Sequence, residues 1–236
     1  MAAAMARGWA EEGEGMLFSD AGSGRARALA EELGGEAVGN EEIGRRADLV
    51  VLAVTPDQLE RVAPGLAAAR RVVSVLAGVP VTRLRAAFPE AEEVVSALPN
   101  VGVEVRRGVI CVCGDASPQT RALLDVLGYV VEVPEEQFEA AATVMGCSPA
   151  YLAVALEAIA AAGSTAGLDP ELARRLVVEA AAGTAELLRT REPAELRRAV
   201  ATPGGSTEAG LLALDREGAG GAFEAAVRAS LGKMGE

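Results

Sequence analysis

Residues 201–207 (Ala-Thr-Pro-Gly-Gly-Ser-Thr) combine a helix start with two glycines and two hydroxyl side chains. Thr202 followed by Pro203 is typical of a helix N-terminus, because threonine caps the first turn and proline fits its first position. Two glycines in a first turn lower helix stability, so their presence indicates a benefit that offsets this loss. That benefit would be accessible backbone N–H groups. Those N–H groups, with the hydroxyls of Ser206 and Thr207 beside them, suit an anion such as a small carboxylate. The competing interpretation is an ordinary capped turn, and the double glycine favours the anion site.

Two further segments hold small residues at positions where a ligand could bind. Residues 52–56 (Leu-Ala-Val-Thr-Pro) lead from a buried apolar run into a capped helix start. Ligands of open α/β sheets bind beyond the carboxyl ends of the strands, although every α/β domain contains such junctions. Residues 145–151 (Met-Gly-Cys-Ser-Pro-Ala-Tyr) interrupt a helical region, and taken by themselves they favour a helix kink over a ligand site.

The types of residue that are missing restrict the chemistry. The 236 residues include no histidine, and Lys233 is the only lysine. Ser-His-Asp or Cys-His catalysis and histidine-ligated metal sites are therefore excluded. Cys111 and Cys113 alternate in an apolar run without another Cys or His nearby, which favours buried packing over metal binding. Catalysis must use backbone groups, hydroxyls, carboxylates or a cofactor.

Charge and hydropathy define the broad class of the protein. A net charge of −12 argues against a nucleic-acid partner, which would require a basic face. Half of the residues are apolar, and no run of 18 or more lacks a charge, so we expect a globular protein without a membrane partner. The first residues do not resemble a signal peptide, so a cytoplasmic location is expected.

The elements that must position these residues fall into two groups. Apolar runs in the first part of the chain predict strands at residues 47–54, 72–77, 93–98, 109–113 and 129–133. Helical stretches separate them, with Ser117-Pro118 as one helix start, so residues 1–134 predict an α/β domain with a parallel sheet. After Pro134 the strand signals stop, and residues 135–236 predict an all-α domain.

The helical part of the chain predicts a subunit interface. Its main helices cover residues 135–163, interrupted at 146–149, and about 170–190, with short helices starting near 193, 204 and 221. They are apolar over more than one stripe, which predicts burial in a second subunit. The alternative is an unusually Ala-rich monomeric bundle.

The opening of the chain predicts a helix at residues 1–9 and a strand at 16–18. A dinucleotide-binding unit is a strand, a glycine-rich turn, a helix and a second strand, and the turn holds the pyrophosphate. The helix and the second strand are recognised here, whereas the preceding strand and turn are not. We therefore expect residues 1–236 to bind a dinucleotide weakly, and an extension that supplies the strand and the turn to restore micromolar affinity.

Taken in order, these segments resemble pyrroline-5-carboxylate reductase along essentially the whole chain. Residues 52–56 resemble the L-A-V-K-P segment of the family, 76–79 its A-A-G-V, and 98–100 the start of its M-P-N-T-P. Residues 145–151 are similar to S-G-S-G-P-A-Y and 202–207 to S-P-G-G-T-T, and these two motifs are specific to the family. Its opening helix follows the glycine turn, with Met1-Ala2 at the last turn positions, and a misplaced start codon would explain the missing strand.

The resemblance implies a fold, a reaction and a set of site residues. It implies a Rossmann-type domain at residues 1–134 that lacks its first strand, and an all-α domain at 135–236 for dimerisation, further assembly and substrate binding. The reaction would reduce 1-pyrroline-5-carboxylate to L-proline with NADPH or NADH, which needs no histidine because the cofactor provides the hydride. The implied cofactor contacts are Ala2, Ser19, Arg25, Asn40, Ala53, Val54, Thr55, Pro56, Ala77, Gly78 and Asn100. The implied substrate contacts are Cys147, Ser148, Thr202, Gly204, Gly205 and Ser206, with Thr207 as the catalytic hydroxyl near the imine nitrogen.

Some residues depart from the family pattern and leave alternatives open. Thr55 replaces a lysine, residues 101–102 replace Thr-Pro, and Cys147 and Ser148 replace Ser and Gly. One alternative is a related imine or 3-hydroxyacid reductase, although the latter class uses a lysine in the helical domain and only Lys233 is present. The other alternative is a non-catalytic dimeric remnant. Ser19 and Arg25 favour NADPH over NADH, because hydroxyl and guanidinium groups accept a 2′-phosphate.

Overall fold

The computed structural model describes residues 1–10 and 15–234, which divide into two compact units. One unit comprises Met1–Cys147 with the C-terminal segment from Leu231, and the other comprises Ser148–Ser230. The first is an α/β unit and the second is all-helical, as the sequence predicts.

The strands of the α/β unit form two sheets. A parallel pair joins the first two strands, and a five-stranded sheet in the order β3-β4-β5-β6-β7 contains the others. The strands are β1 (Leu17–Phe18), β2 (Glu36–Ala37), β3 (Val50–Leu52), β4 (Arg71–Ser74), β5 (Glu93–Pro99), β6 (Gly108–Cys113) and β7 (Gly128–Glu132). All the strands predicted from apolar runs are confirmed, though β1, β3 and β4 are shorter than predicted, and β2 was not predicted.

One pairing departs from the predicted parallel arrangement. β5 and β6 are antiparallel, with Ser96 opposite Cys113, whereas β3-β4, β4-β5 and β6-β7 are parallel. Only a 3₁₀ segment, Val101–Val105, and a short turn connect β5 to β6. A parallel connection needs a crossover of about a dozen residues or more, so this link only permits a reversal.

The large sheet is buried on both faces. Along β4 and β5, Val72 and Val94 belong to the core on one face, whereas Val73 and Val95 belong to the core on the other. This alternation explains why the strands are apolar at consecutive positions rather than at every second one. Cys111 and Cys113 are buried, as predicted, and burial raises the pKa of both thiols.

Helices cover both faces of this sheet and begin at the N-terminus. Those of the α/β unit are α1 (Ala2–Ala10), α2 (Arg25–Leu33), α3 (Asn40–Arg46), α4 (Leu59–Val62), α5 (Val81–Ala87) and α6 (Pro118–Asp125). Of the two helix caps predicted at Ser117 and Thr55, only that of Ser117 is present as a side-chain hydrogen bond. Ser117 Oγ accepts the Thr120 N–H, whereas Thr55 precedes a 3₁₀ turn, Pro56–Gln58, without a side-chain cap.

The remaining helices are α7 (Glu135–Thr165), α8 (Pro170–Leu187), α9 (Pro193–Val200), α10 (Ser206–Arg216) and α11 (Ala219–Met234). The predicted interruption at residues 146–149 is wrong, because α7 is continuous through Pro149. Proline removes the N–H that would bond to the Met145 carbonyl. Asn100 Nδ2 donates to that carbonyl instead, at 3.4 Å, so the oxygen keeps a partner and the helix continues.

The helical unit has almost no core of its own. Within residues 148–230, all of which the structure describes, only Ala173 is buried. Leu172, Leu176 and Leu187 lie along one side of α8 at helical spacing and are 37%, 52% and 42% exposed. So many exposed apolar side chains indicate that another surface buries them, because the helical unit itself does not.

α7 is also long and apolar enough to cross a membrane by length and composition alone, with a mean hydropathy of 1.6 over its best window. One helix of this kind is weak evidence for a membrane span, because the core helix of a soluble protein can have the same length and composition.

Candidate active site

The carboxyl ends of the central strands position most of the predicted cofactor residues. β3, β4 and β5 are parallel, so the segments that follow Leu52, Ser74 and Pro99 leave the sheet at one edge. Ala53 to Pro56, Ala77 with Gly78, and Asn100 lie in those segments. This is the edge at which α/β sheets bind their ligands.

One cavity of about 840 Å³ brings five of the predicted cofactor residues together. Its volume lies in the range of small-molecule sites. The five residues lie on four different segments and are Ala2, Ser19, Asn40, Ala53 and Val54. The structure does not place the other six, Arg25, Thr55, Pro56, Ala77, Gly78 and Asn100, in the wall of this cavity.

The loop after β1 is organised by Asp20. Its Oδ1 accepts the N–H groups of Gly22 and Ser23 at 2.6 and 3.0 Å, and its Oδ2 accepts Ser23 Oγ at 3.0 Å and the Ala26 N–H at 2.8 Å. These bonds, that of Ala26 foremost, lower the pKa of Asp20 to about 2. The carboxylate is therefore ionised at neutral pH and fully engaged in its own loop. Sequence reasoning missed this role, although Asp before Gly and Ser is a common turn signal.

Arg25 lies at the start of α2 in the same loop. Its Nε donates to Ser23 Oγ at 3.2 Å, and its terminal nitrogens have no partner in the described part of the chain. The carboxylate of this loop is thus bonded within the loop, whereas the exposed Arg25 guanidinium can still bind an anion.

Asn100 is engaged inside the protein. Its Oδ1 accepts the N–H groups of Gly102 and Val109 at 3.2 and 3.1 Å, and its Nδ2 donates to the Met145 carbonyl. The side chain thereby joins the end of β5, the start of β6 and α7. Its predicted contact with a cofactor remains a prediction.

The backbone of the 202–207 turn explains why both Gly204 and Gly205 are glycine, which the sequence alone did not reveal. Gly204 has a φ of +74°, which disfavours other residues. A Cβ on Gly205 would lie 2.6 Å from Thr202 Oγ1 and 3.0 Å from its carbonyl oxygen. The prediction that both glycine N–H groups face an anion is wrong in this structure, because Gly204 N–H donates to Glu208 Oε2 at 2.7 Å and Gly205 N–H to the Thr202 carbonyl at 2.9 Å.

The N–H groups that lack an acceptor at this turn are those that follow Gly205. α10 starts at Ser206, and its first helical hydrogen bond from this end is that of the Ala209 N–H to the Gly205 carbonyl. The N–H groups of Ser206, Thr207 and Glu208 therefore have no carbonyl acceptor in the described residues. The side chains of Thr202, Ser206 and Thr207 are exposed, and their hydroxyls make no hydrogen bond within the described residues. This cluster can receive an anion with several donors at once.

The other predicted substrate residues lie on α7. Cys147 is half-buried and is the last residue of the first segment of the α/β unit, and Ser148 begins the helical unit. Their role toward a substrate stays a prediction.

A second cavity, of about 790 Å³, is lined by Arg71 and Glu93 at the amino ends of β4 and β5, and none of the predicted site residues lines it. In residues 1–10 and 15–234, no three His, Cys, Asp or Glu side chains are grouped to hold a metal ion.

Comparison with protein families gives two matches along the chain. Residues 135–236 match the family described as pyrroline-5-carboxylate reductase dimerisation. Residues 1–78 match the family described as NADP oxidoreductase, coenzyme F420-dependent.

Individual proteins extend these matches over most of the chain. A pyrroline-5-carboxylate reductase of Synechocystis is 36% identical over 81% of this chain and 75% of its own length. One from Thermus thermophilus is 36% identical over 87% of this chain and 81% of its own. The crystal structure of 1-pyrroline-5-carboxylate reductase from Streptococcus pyogenes is 26% identical, with a TM-score of 0.86 over 99% of this chain and 94% of that one.

Proposed function

Since the chain belongs to the pyrroline-5-carboxylate reductase family, we propose that it reduces 1-pyrroline-5-carboxylate to L-proline with NAD(P)H. The observation that carries this proposal is the donor cluster at the start of α10. Three exposed hydroxyls and three N–H groups without acceptors surround one turn. A small cyclic imine that carries a carboxylate matches such a cluster.

The donors divide into two roles. The N–H groups of Ser206 and Thr207, at the positive end of a helix, bind the carboxylate together with the Thr202 hydroxyl. The Thr207 hydroxyl donates to the imine nitrogen, whose charge changes during the reaction. Gly204 and Gly205 keep the turn compact enough for these contacts, and Cys147 and Ser148 border the substrate.

The cofactor belongs at the carboxyl edge of the sheet, where Ala53, Val54 and Asn40 line a cavity. Bound NAD(P)H supplies the hydride, so the protein needs only to orient the partners and exclude water. Ala53, Ala77 and Gly78 at this edge have small side chains, which fits a dinucleotide that approaches the backbone closely.

In this proposal the two parts of the chain have different functions. Residues 1–134 bind the cofactor, and residues 135–236 bind substrate and form a homodimer that can assemble further. A cytoplasmic location is part of this proposal, with α7 covered by a partner subunit rather than by lipid.

The loop after β1 allows a test of the preference between NADPH and NADH. Both carboxylate oxygens of Asp20 accept hydrogen bonds within its own loop, so this side chain does not bind a ribose hydroxyl. Ser19 and Arg25 remain available for a 2′-phosphate. We therefore expect NADPH to be preferred. Arg25→Ala should raise the KM for NADPH roughly tenfold, as for one exposed charge-assisted bond, and spare that for NADH.

The assay is oxidation of NADPH or NADH that depends on pyrroline-5-carboxylate. It uses the protein expressed from its own gene with everything encoded in frame. Arg27→Ala removes an equally exposed arginine from the same helix and should leave both KM values unchanged. No oxidation by the unaltered protein would reject the proposed reaction, and an unchanged NADPH to NADH ratio in Arg25→Ala would reject the role of Arg25.

A further inference from the structure

Asn100, which directly follows β5, has little hydrogen-bonding capacity left for a ligand. Its Oδ1 accepts the N–H groups of Gly102 and Val109, so both lone pairs of this oxygen are used. The backbone of Asn100 is fixed as well, because its N–H donates to the Val109 carbonyl at 3.0 Å and its carbonyl accepts the Val103 N–H at 3.3 Å. The amide is therefore held in one orientation, in which Nδ2 donates to the Met145 carbonyl.

The Met145 carbonyl is an acceptor that α7 cannot satisfy in the usual way. A helical carbonyl accepts the N–H four residues later, and that residue is Pro149, which has none. Met145 is half-buried, and a backbone carbonyl withdrawn from water needs another donor. The bond from Asn100 therefore belongs to neither element alone. It links the end of β5 to the middle of α7.

This link joins the carboxyl edge of the sheet to the part of α7 that contains a predicted substrate residue. Asn100 follows the carboxyl end of β5, and Cys147 lies two residues after Met145. Ala142 and Thr143, less than one turn before Met145, are buried, so this stretch of α7 is packed within the α/β unit. A hydride-transferring enzyme must hold its two bound partners closely, since a misplacement of about 1 Å can cost roughly a hundredfold in rate.

We propose that Asn100 is a positioning residue, which fastens α7 to the carboxyl edge of the sheet through the carbonyl that Pro149 leaves without a helical donor. In the proposed reaction, on which this role rests, Asn100 keeps the turn around Cys147 at a fixed distance from the edge that binds NAD(P)H. It acts through α7 and makes no contact with the reacting atoms. This role differs from the cofactor contact that the family resemblance implies for Asn100.

Asn100→Asp removes the donor and little else. A carboxylate has the shape of the amide and accepts the Gly102 and Val109 N–H groups, but it cannot donate to the Met145 carbonyl. Single-turnover oxidation of NADPH, with the protein in excess and pyrroline-5-carboxylate saturating, should slow roughly tenfold. The dissociation constant of NADPH should change by less than about twofold. A mere loss of folded protein would instead lower the amplitude of this phase and leave its rate constant unchanged.

Ser117→Ala is the matched control, because it removes one side-chain hydrogen bond of the same unit, that to the Thr120 N–H, at the opposite edge of the sheet. It should leave the rate constant unchanged. Amide hydrogen exchange at Gly146 and Cys147, followed without cofactor or substrate, reports on the link itself. Exchange there should be roughly tenfold faster in Asn100→Asp, because α7 opens more easily once it is released, and unchanged in Ser117→Ala.

Unchanged exchange at Gly146 and Cys147 in Asn100→Asp would overturn the proposal. So would weaker NADPH binding with an unchanged rate constant, since that would identify Asn100 as a cofactor contact. If Asn100→Asp does not fold, Pro149→Ala weakens the same link from the helix, because its new N–H competes with Nδ2 for the Met145 carbonyl. An unchanged single-turnover rate constant in that variant would then overturn the proposal. No oxidation by the unaltered protein would reject the proposed reaction, and the exchange measurement would still decide whether the link holds α7.

Discussion

Replacing Thr207 by alanine should lower kcat by roughly ten- to a thousandfold, as for the loss of one preorganised donor to a reacting atom. The hydroxyl lies in the first turn of α10, exposed and without a hydrogen bond in the described residues, so its removal leaves no internal donor unsatisfied. In the proposed reaction it donates to the nitrogen whose charge changes in the transition state. KM should therefore change much less than kcat. Steady-state oxidation of NADPH with varied pyrroline-5-carboxylate measures both constants.

Two variants of the same turn separate this role from a general disturbance. Thr207→Ser retains the hydroxyl and should be milder. Thr202→Ala removes the proposed contact to the carboxylate, which would be present in both ground and transition states, and should act mainly on KM. Full kcat in Thr207→Ala together with a lost kcat in Thr202→Ala would reverse the assignment.

A charge on the apolar side of α8 should dissociate the subunits. Leu176 is 52% exposed in the isolated chain, and Leu172 and Leu187 continue the same side. The proposed homodimer would bury these side chains, and a buried carboxylate without a partner costs several kcal/mol. Leu176→Glu should therefore raise the dissociation constant of the dimer at least a hundredfold, which is about 2.7 kcal/mol. Sedimentation velocity over a range of protein concentrations measures this shift.

Arg175→Glu is the matched control, since it introduces the same carboxylate one residue away on an exposed, polar side of α8. It should leave the association unchanged. Since residues 148–230 bury only Ala173, the dissociated Leu176→Glu protein should also lose helix content. A Leu176→Glu protein that sediments as the unaltered dimer would refute this use of α8.

The sequence was most informative where strands are buried on both faces. β4 and β5 are apolar at consecutive positions because one valine faces each core, and such runs are recognisable without a structure. β2 escaped prediction because Glu36 and Ala37 are exposed and carry no apolar signal. The direction of β6 was not predicted from hydropathy, since a reversed strand has the same pattern of burial, although the short connection after Asn100 already implied it.

The candidate site stays a prediction, and the sequence located its turn and strand end but not the hydrogen bonds within them. The turn at 202–207 and the small residues after β3 were identified, yet the two glycine N–H groups are used within the turn. The link from Asn100 to the carbonyl freed by Pro149 joins residues 45 apart in sequence, from Asn100 to Met145. Periodicity and local motifs describe neighbours along the chain, so a contact of this kind becomes visible only after folding.

Trp9 gives the cavity of about 840 Å³ an optical reporter. It is the single tryptophan of the chain, and it lines the cavity while its Nε1 donates to the Leu123 carbonyl at 2.7 Å. Indole emission shifts to shorter wavelength and becomes less accessible to a quencher when water is excluded from the ring. The tryptophan fluorescence of the whole protein thus comes from one wall of this cavity. The entry of a ligand that excludes water from the ring can therefore be timed in a stopped-flow instrument without a label.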